Sequence, residues 1–261
     1  MKFALVNGQR EEAQPNLSGK CPGCLSPMVA RCGDIRHRHW AHPARHLCDP
    51  WWENETVWHR NWKNRFPDDW QEIAHDADDG ERHIADVKTG DGWVIEFQHS
   101  GIEPEERQSR EAFYRSLIWV VDGKRRTRDE AQFLGAWGAG ESRIPGTSKR
   151  RIRSPNGALL RDWAGSRAHV FFDFGDEQVL WWLWRESDDI RAYVQPLSRA
   201  QFVRIHLERC THGPSEFDSL VQNFSAFIAH YESPPPPPQL QRLTEPPPHP
   251  APRMIRRSFR L

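Results

Sequence analysis

The sequence lacks several features that would assign the chain to a common class of protein. It has no apolar run of about 18 residues, the length that a membrane-spanning helix needs, and no basic-then-apolar leader. Lys+Arg and Asp+Glu both number 36, so any attraction to polyanions must come from local patches. Its five cysteines are an odd number, which suits metal binding in a reducing compartment better than a disulfide framework. We therefore expect a cytoplasmic protein that does not interact with membranes.

Composition divides the chain into four regions, and the fold class that they predict is α+β. The elements expected between residues 51 and 126 follow the order α-β-β-β-α-β. Three more strands and a helix that begins after Ser198 follow, either as a second subdomain or as an extension of the same sheet. The four predicted regions are a hairpin and metal-binding module at 1–50, a core at 51–126, an α+β region at 127–232 and a Pro-rich, basic, disordered tail at 233–261. The tail offers a binding segment to a protein partner.

Two close pairs of metal-ligand residues lie in the first region. Cys21 and Cys24 form "CPGC", and His39 and His42 form "HWAH" after an intervening loop. Two such pairs are what a tetrahedral structural Zn²⁺ site needs. The alternatives are a reduced, unliganded pair beside surface histidines, or a redox CxxC, which the absence of a flanking strand and helix disfavours. Further candidate ligands nearby are Cys32, His37, His46 and Cys48.

Two carboxylates are predicted to face each other on neighbouring strands. If residues 90–92 form a three-residue hairpin loop, Thr89 pairs with Trp93 and Asp86 lies opposite Glu96. Because like charges repel at that range, the pair predicts a bound cation, and oxygen ligands suit Mg²⁺ or Mn²⁺. The alternatives are a two-residue turn that shifts the register, or an edge strand with a solvated face.

A helix upstream of these strands adds polar residues in a single row. Glu55, His59 and Lys63 recur at every fourth position, beside an apolar stripe that can pack on the sheet. The alternative is a surface helix with intrahelical ion pairs. On the later helix, Arg110 and Tyr114 also share one side, where they can touch substrate phosphates or simply pack and pair with Glu106.

Taken in order, these motifs resemble the CoiA-like competence nucleases of the PD-(D/E)XK superfamily. The matching stretches are "CPGC", "HWAH", "ETVWH", "RHIAD", "IEFQHS", "REAFY" and "IWVVD", over residues 20–122. The resemblance implies a restriction-endonuclease-like αβββαβ core with an N-terminal zinc-finger-like module and a C-terminal α+β extension. It implies a Mg²⁺- or Mn²⁺-dependent deoxyribonuclease that acts in DNA uptake and recombination, in repair or in defence, on single- or double-stranded DNA.

The resemblance also implies roles for particular residues. Asp86 and Glu96 would hold the catalytic cation, and Glu55 would complete the acidic cluster. Gln98 stands where the family usually has Lys, so it would orient the attacking water or a phosphate oxygen without supplying charge. The residues expected to bind substrate or supply that charge are His59, Lys63, Arg82, Arg110 and Tyr114.

Two other functions remain open from the sequence. An HNH-type nuclease would account for the dense histidines of "HRHWAH", but no helix with a ligand pair follows them. A non-catalytic, zinc-stapled DNA-binding protein with a degenerate nuclease core would account for Gln98 and for the basic tail. Retention of Asp86 and Glu96 argues against a pure binder, because carboxylates facing phosphates weaken binding.

Overall fold

The computed structural model describes most of the chain and none of the predicted tail. The chain divides into two units, residues 1–220 and residues 221–261, and the second is described only over 221–232. The described ranges are 1–33, 37–43, 48–51, 55–77, 80–139, 142–143, 147–152, 157–176, 178–185, 192–208 and 213–232.

The fold is of the mixed α+β type, with two sheets and six helices among the described residues. None of these helices combines the length and apolar character that crossing a membrane requires. The strands are β1 Phe3–Val6, β2 Gln9–Glu12, β3 Ser18–Lys20, β4 Pro27–Arg31, β5 His39–Ala41, β6 Gln71–Asp76, β7 Arg82–Lys88, β8 Val94–Gln98, β9 Leu117–Asp122, β10 Ser142–Arg143, β11 Arg150–Ile152, β12 His169–Asp173, β13 Val179–Arg185 and β14 Ala192–Ser198. The helices are α1 Val57–Lys63, α2 Pro104–Phe113, α3 Asp129–Gly138, α4 Ala158–Trp163, α5 Arg199–Leu207 and α6 Glu216–Glu232.

The N-terminal sheet has five antiparallel strands in the order β2-β1-β3-β4-β5. Its first hairpin turns at Asn7 and Gly8, whose φ angles of 52° and 84° are those that a two-residue hairpin loop requires. The sheet buries a small core that includes Ala4, Met28 and Trp40. Cys21 belongs to this core and Cys24 packs against it, so the core holds the predicted CPGC pair in place.

The larger sheet has nine strands in the order β10-β11-β14-β13-β12-β9-β8-β7-β6. Its centre is parallel, because β9 pairs in parallel with both β8 and β12. The order α1-β6-β7-β8-α2-β9 matches the predicted succession α-β-β-β-α-β. The C-terminal strands therefore extend the sheet that contains β6 to β9 and do not form a second subdomain with a sheet of its own.

The register of the β7–β8 hairpin is the one predicted from a three-residue loop. Val87 pairs with Ile95 and Lys88 with Val94, and Thr89 N–H donates to Trp93 O at 2.8 Å. Gly92 has a φ of 89°, a conformation that closes the loop and that glycine adopts without steric penalty. Asp86 and Glu96 consequently occupy opposed positions just beyond the last regular pair.

Helix α1 is shorter than the predicted span of residues 51–66, and residues 52–54 lie outside the described ranges. It begins after Thr56, whose Oγ1 accepts a hydrogen bond from His59 N–H at 3.3 Å. The predicted apolar stripe packs on the sheet, where Trp62 stacks on Phe97 with ring centroids 5.7 Å apart. The polar residues of α1 are thereby held against the edge of the β7–β8 hairpin.

Candidate functional site

A Cys-His quartet joins the β3–β4 loop to the segment that follows β5. Its members are Cys21, Cys24, His42 and Cys48, whose ligand atoms all lie within 4.8 Å of one another. Cys21 Sγ lies 3.6 Å from Cys48 Sγ, and His42 Nε2 lies 3.3 Å from Cys48 Sγ. Tetrahedral bonds of about 2.3 Å from sulfur to zinc place neighbouring sulfur atoms about 3.8 Å apart. The spacing therefore fits one metal ion, and the donor set is compatible with structural Zn²⁺.

The backbone around Cys21 is shaped as a metal-binding knuckle. Leu25 N–H donates to Cys21 O and Cys21 N–H to Ser26 O, each at 2.9 Å, and Leu25 takes a left-handed φ of 59°. A hydrogen bond from Cys48 is the main cause that lowers the pKa of the Cys21 thiol to about 5, although burial opposes it. The same contact and burial raise the pKa of Cys48. The pair thus favours one thiolate, the form that binds metal.

The fourth position of the quartet differs from the predicted one. The prediction named His39, whereas the structure places Cys48 there. His39 lies on β5, and its Nδ1 lies 2.8 Å from His37 O. Cys48 is one of the further candidate ligands that the sequence offers. Of the other candidates, Cys32 and His37 are not in the quartet, and His46 lies outside the described residues. Spacing could name the candidate ligands, but the path of the loop decides among them.

The segment that follows Cys48 connects the quartet to the strand that carries Asp86. Asp49 accepts hydrogen bonds from Ile84 N–H at 2.8 Å and lies 2.9 Å from His83 Nδ1. Trp51 stacks on His83 with ring centroids 3.1 Å apart. The chain from Cys48 to Trp51 is therefore bound to β7 through backbone, carboxylate and ring contacts.

Three carboxylates occupy equivalent positions across neighbouring strands. The β6–β7 register pairs Gln71 with Val87 and Ile73 with Ala85, so Glu72 lies across from Asp86, which in turn lies across from Glu96. Glu72 has a φ of 48°, an uncommon left-handed value for a residue inside a strand. The row of carboxylates is thus built at a point of local backbone distortion, which is typical of functional sites.

The β7–β8 ladder opens where Asp86 and Glu96 face each other. The two carboxylates replace the missing ladder bonds, since Phe97 N–H donates to Asp86 Oδ2 at 3.0 Å and Asp86 N–H donates to Glu96 Oε1 at 3.3 Å. Both side chains are therefore fixed by backbone donors of the opposite strand. Asp86 remains 24% exposed while Glu96 is only 8% exposed.

Both opposed carboxyls favour the protonated form more than ordinary acids do. Burial, followed by the charge of Asp86, raises the pKa of Glu96 well above its usual value. Burial also raises the pKa of Asp86, although the charge of Lys63 opposes this. Desolvated carboxylates that repel each other are stabilised by a cation. Within the described residues, however, they do not gather with a third Cys, His or acidic ligand as closely as the quartet does.

Lys63 supplies the positive charge at one end of the carboxylate row. Its Nζ lies 2.6 Å from Glu55 Oε1, 2.8 Å from Glu72 Oε1 and 3.9 Å from Asp86 Oδ1. Burial alone would raise the pKa values of Glu55 and Glu72, but it is outweighed by Lys63 together with the N-terminal ammonium and, for Glu55, Arg60: the pKa of Glu55 is lowered, and that of Glu72 falls to about 2. Glu72 also accepts hydrogen bonds from the backbone N–H groups of residues 2 and 3. Lys63 is thus shared between Glu55 and Glu72 at short range, and its contact with Asp86 is longer.

Arg110 and Tyr114 extend from α2 and its C-terminal end toward Glu96. Arg110 Nη1 lies 3.6 Å from Glu96 Oε2, while its Nη2 donates to Glu106 at 2.5 Å and to Trp51 O at 2.7 Å. Tyr114 is 4% exposed, and its hydroxyl has no hydrogen-bond partner among the described residues. Both residues are at the site, and Arg110 also makes the pairing with Glu106 that was its alternative role.

Of the remaining predicted residues, Gln98 and His59 line the cavity and Arg82 does not. Gln98 is buried, and its Nε2 donates to Ser100 O at 3.3 Å, which keeps it beside the carboxylates. His59 is also buried, and its Nδ1 is engaged with Thr56 in the helix cap. Arg82 is exposed and pairs with Asp76 and with Gly23 O, so the structure does not bring it to the site. Glu72 was not among the predicted site residues, because only the β6–β7 register, and not the strand pattern of "QEIAH", places it beside Asp86.

One cavity of about 540 Å³ joins the two clusters. Its wall includes His42 and Cys48 of the quartet together with the carboxylates and Lys63. The wall also includes Met1, Met28, Trp40, Ile84, Gln98, Arg110 and Tyr114. The quartet and the carboxylate row therefore border the same cavity.

All the residues predicted as catalytic or substrate-binding, except Arg82, line the cavity: Glu55, His59, Lys63, Asp86, Glu96, Gln98, Arg110 and Tyr114. The expected kinship with CoiA-like nucleases remains a prediction. Comparison of the chain with protein-family models, curated protein sequences and solved structures finds no match in any of the three.

Proposed function

We propose that this protein is a Mg²⁺- or Mn²⁺-dependent deoxyribonuclease of the PD-(D/E)XK type, with a CoiA-like role in DNA uptake and recombination, repair or defence in the cytoplasm. The observation that carries the proposal is the opposed pair Asp86 and Glu96, fixed by backbone donors where the β7–β8 ladder opens. An ordinary sheet avoids two carboxylates at opposed positions, because like charges directly opposite each other repel. A site that binds a divalent cation accounts for their retention.

The residues present are suited to hold such an ion. Asp86 and Glu96 offer oxygen ligands, which hard cations prefer. A bound Mg²⁺ or Mn²⁺ supplies a Lewis acid for the scissile phosphate and a water of lowered pKa. Lys63, 3.9 Å from Asp86, and Arg110, 3.6 Å from Glu96, place positive charge on either side of the pair. Gln98 can orient a water or a phosphate oxygen but cannot transfer charge, because an amide does not titrate.

A second candidate is a DNA-binding protein that does not cut. One observation favours it: the two cations nearest the pair are already engaged by the protein's own acids, Lys63 by Glu55 and Glu72, and Arg110 by Glu106. Charge stabilisation of a phosphate would then have to compete with these ion pairs. The two candidates differ in what the carboxylates do, since only the nuclease needs them.

A cleavage assay separates the two. The full chain is incubated with linear duplex, closed circular and single-stranded DNA, with Mg²⁺ or Mn²⁺ varied. We expect metal-dependent cleavage of DNA that falls by about 100-fold or more in Asp86→Asn and Glu96→Gln, because each change removes a charged ligand. Glu105→Gln, an exposed acid on α2, is the matched control and retains wild-type activity.

The outcomes are distinct. Metal-dependent cleavage that all four proteins share equally would point to a contaminating nuclease and overturn the proposal. A wild type that binds DNA without cutting it, and whose binding the two site substitutions leave unchanged, would establish the second candidate.

A further inference from the structure

The cavity that holds the carboxylates has a second wall of a different chemical character. It consists of apolar side chains from the N-terminal sheet and from β7, namely Met1, Met28, Trp40 and Ile84. Thioether side chains adapt their shape to flat, apolar groups. The proposed catalytic reaction needs only the acidic wall, so the apolar wall and the volume that it encloses require a separate explanation.

Tyr114, which extends toward Glu96, adds one buried polar group to the lining of the cavity. The hydroxyl of this buried residue has no hydrogen-bond partner among the described residues, although the residue lines the cavity. Leaving a buried hydroxyl without a partner costs about 1–3 kcal/mol. Burial, and then the charges of Glu96 and Asp49, raise the pKa of Tyr114, so its phenol stays neutral and able to donate. A bound molecule with an acceptor atom would satisfy this donor.

The size and depth of the cavity limit what can enter. Pockets of about 300–1,000 Å³ hold one molecule of drug or cofactor size, and this cavity measures about 540 Å³. The Glu96 side chain is only 8% exposed, so a phosphate must enter the cavity to approach it. Phosphates lie on the outside of a duplex, but a base can enter the cavity only after it leaves the stack, which costs less in single-stranded DNA.

From these observations we propose that the cavity binds one nucleotide unit of single-stranded DNA, with its phosphate toward Asp86 and Glu96 and its sugar and base against Met1, Met28 and Ile84. The inference rests on the proposed nuclease function and names its substrate class: single-stranded DNA is preferred over closed duplex. Tyr114 donates a hydrogen bond to the bound nucleotide. Because the apolar wall carries no further base-reading donors, the preference extends across base sequences.

The first test compares cleavage of one sequence in three forms: a covalently closed duplex circle, a single-stranded circle and a linear single strand. With Mn²⁺ present, we expect both single-stranded forms to be cut at least about tenfold faster than the closed duplex, since unstacking costs a few kcal/mol. Equal rates on all three would overturn the inference while leaving the nuclease function intact. Cleavage of none would overturn the nuclease function, and the inference is then decided by binding.

The second test measures binding without catalysis. Thymidine 5′-monophosphate is titrated into the full chain with Mn²⁺ present and followed by calorimetry. We expect a single site whose affinity falls about fivefold in Tyr114→Phe, the loss of about one hydrogen bond. Tyr193→Phe, at a buried tyrosine of β14 that does not line the cavity, is the matched control and binds as the wild type does. Absence of binding, or equal losses in the two variants, would overturn the inference.

Discussion

At the scale of single residues, the buried carboxyl of Glu96, which the proposed function requires, lowers the stability of the folded protein when it is ionised. Glu96 is held 8% exposed beside Asp86, and burial together with that neighbouring charge raises its pKa well above the ordinary value. The folded state therefore holds a proton that the unfolded chain has lost, over the interval between the ordinary and the raised pKa. Stability declines as pH rises through that interval, and the full penalty is present once Glu96 is ionised.

We predict that Glu96→Gln stabilises the protein at neutral pH when no divalent cation is present. The change removes the buried charge and should raise the free energy of unfolding by about 1–2 kcal/mol, with a flatter dependence on pH. Thermal unfolding across a pH series measures this, with Glu105→Gln as the exposed control. Mg²⁺ should raise the Tm of the wild type but not that of Glu96→Gln. A Glu96→Gln protein less stable than the wild type at every pH would contradict the prediction.

At the scale of elements, the metal quartet positions the acidic site as well as the N-terminal sheet. Asp49 and Trp51, directly after Cys48, contact β7, and Trp51 O accepts from Arg110, which faces Glu96. Helix α1 is fixed from its other side, because the indole N–H groups of Trp58 and Trp62 both donate to the buried Asp173 of β12. The carboxylates are thus held between elements far apart in the sequence.

Loss of one quartet ligand should affect both metal content and the acidic site. We predict that Cys48→Ser lowers the zinc content from about one ion per chain, lowers Tm and reduces DNA cleavage, because the segment up to Trp51 loses its anchor. Cys32→Ser, outside the quartet, should match the wild type in all three. Elemental analysis and thermal unfolding make the measurement. Full zinc occupancy in Cys48→Ser would show that Cys48 is not a ligand.

At the scale of the whole molecule, the large sheet crosses the boundary that composition suggested near residue 126. Strand β9 is buried along its whole length and pairs with β8 on one side and β12 on the other. The strands from β12 to β14 belong to the same sheet as the acidic row. Within residues 51–126 alone, β9 therefore lacks its hydrogen-bonded neighbour β12.

We predict that a fragment of residues 1–126 does not fold. Removal of β12 leaves the apolar edge of β9 without its hydrogen-bonded partner, an arrangement that promotes aggregation. The fragment should show little chemical-shift dispersion in its amide NMR spectrum, or should precipitate, whereas a fragment of residues 1–220 should give a dispersed spectrum. A dispersed spectrum from residues 1–126 would mean that this part is an independent domain.

The sequence by itself determined the local features of this protein. Asn7-Gly8 specified the first hairpin, the three-residue loop 90–92 placed Asp86 across from Glu96, and Ser198 began α5, where its Oγ accepts from Gln201 N–H at 3.0 Å. Each depends on turn geometry or on side-chain alternation within a few residues, and both are encoded where they act.

Only the tertiary structure decided which distant residues meet. Cys48 instead of His39 completes the quartet, Glu72 joins the carboxylate row, and Asp173 anchors α1. These choices depend on the path of a loop, on the register of a third strand and on a parallel pairing of strands about fifty residues apart. Such contacts follow from the packing of the entire chain, since no local spacing specifies which of several suitable side chains arrives.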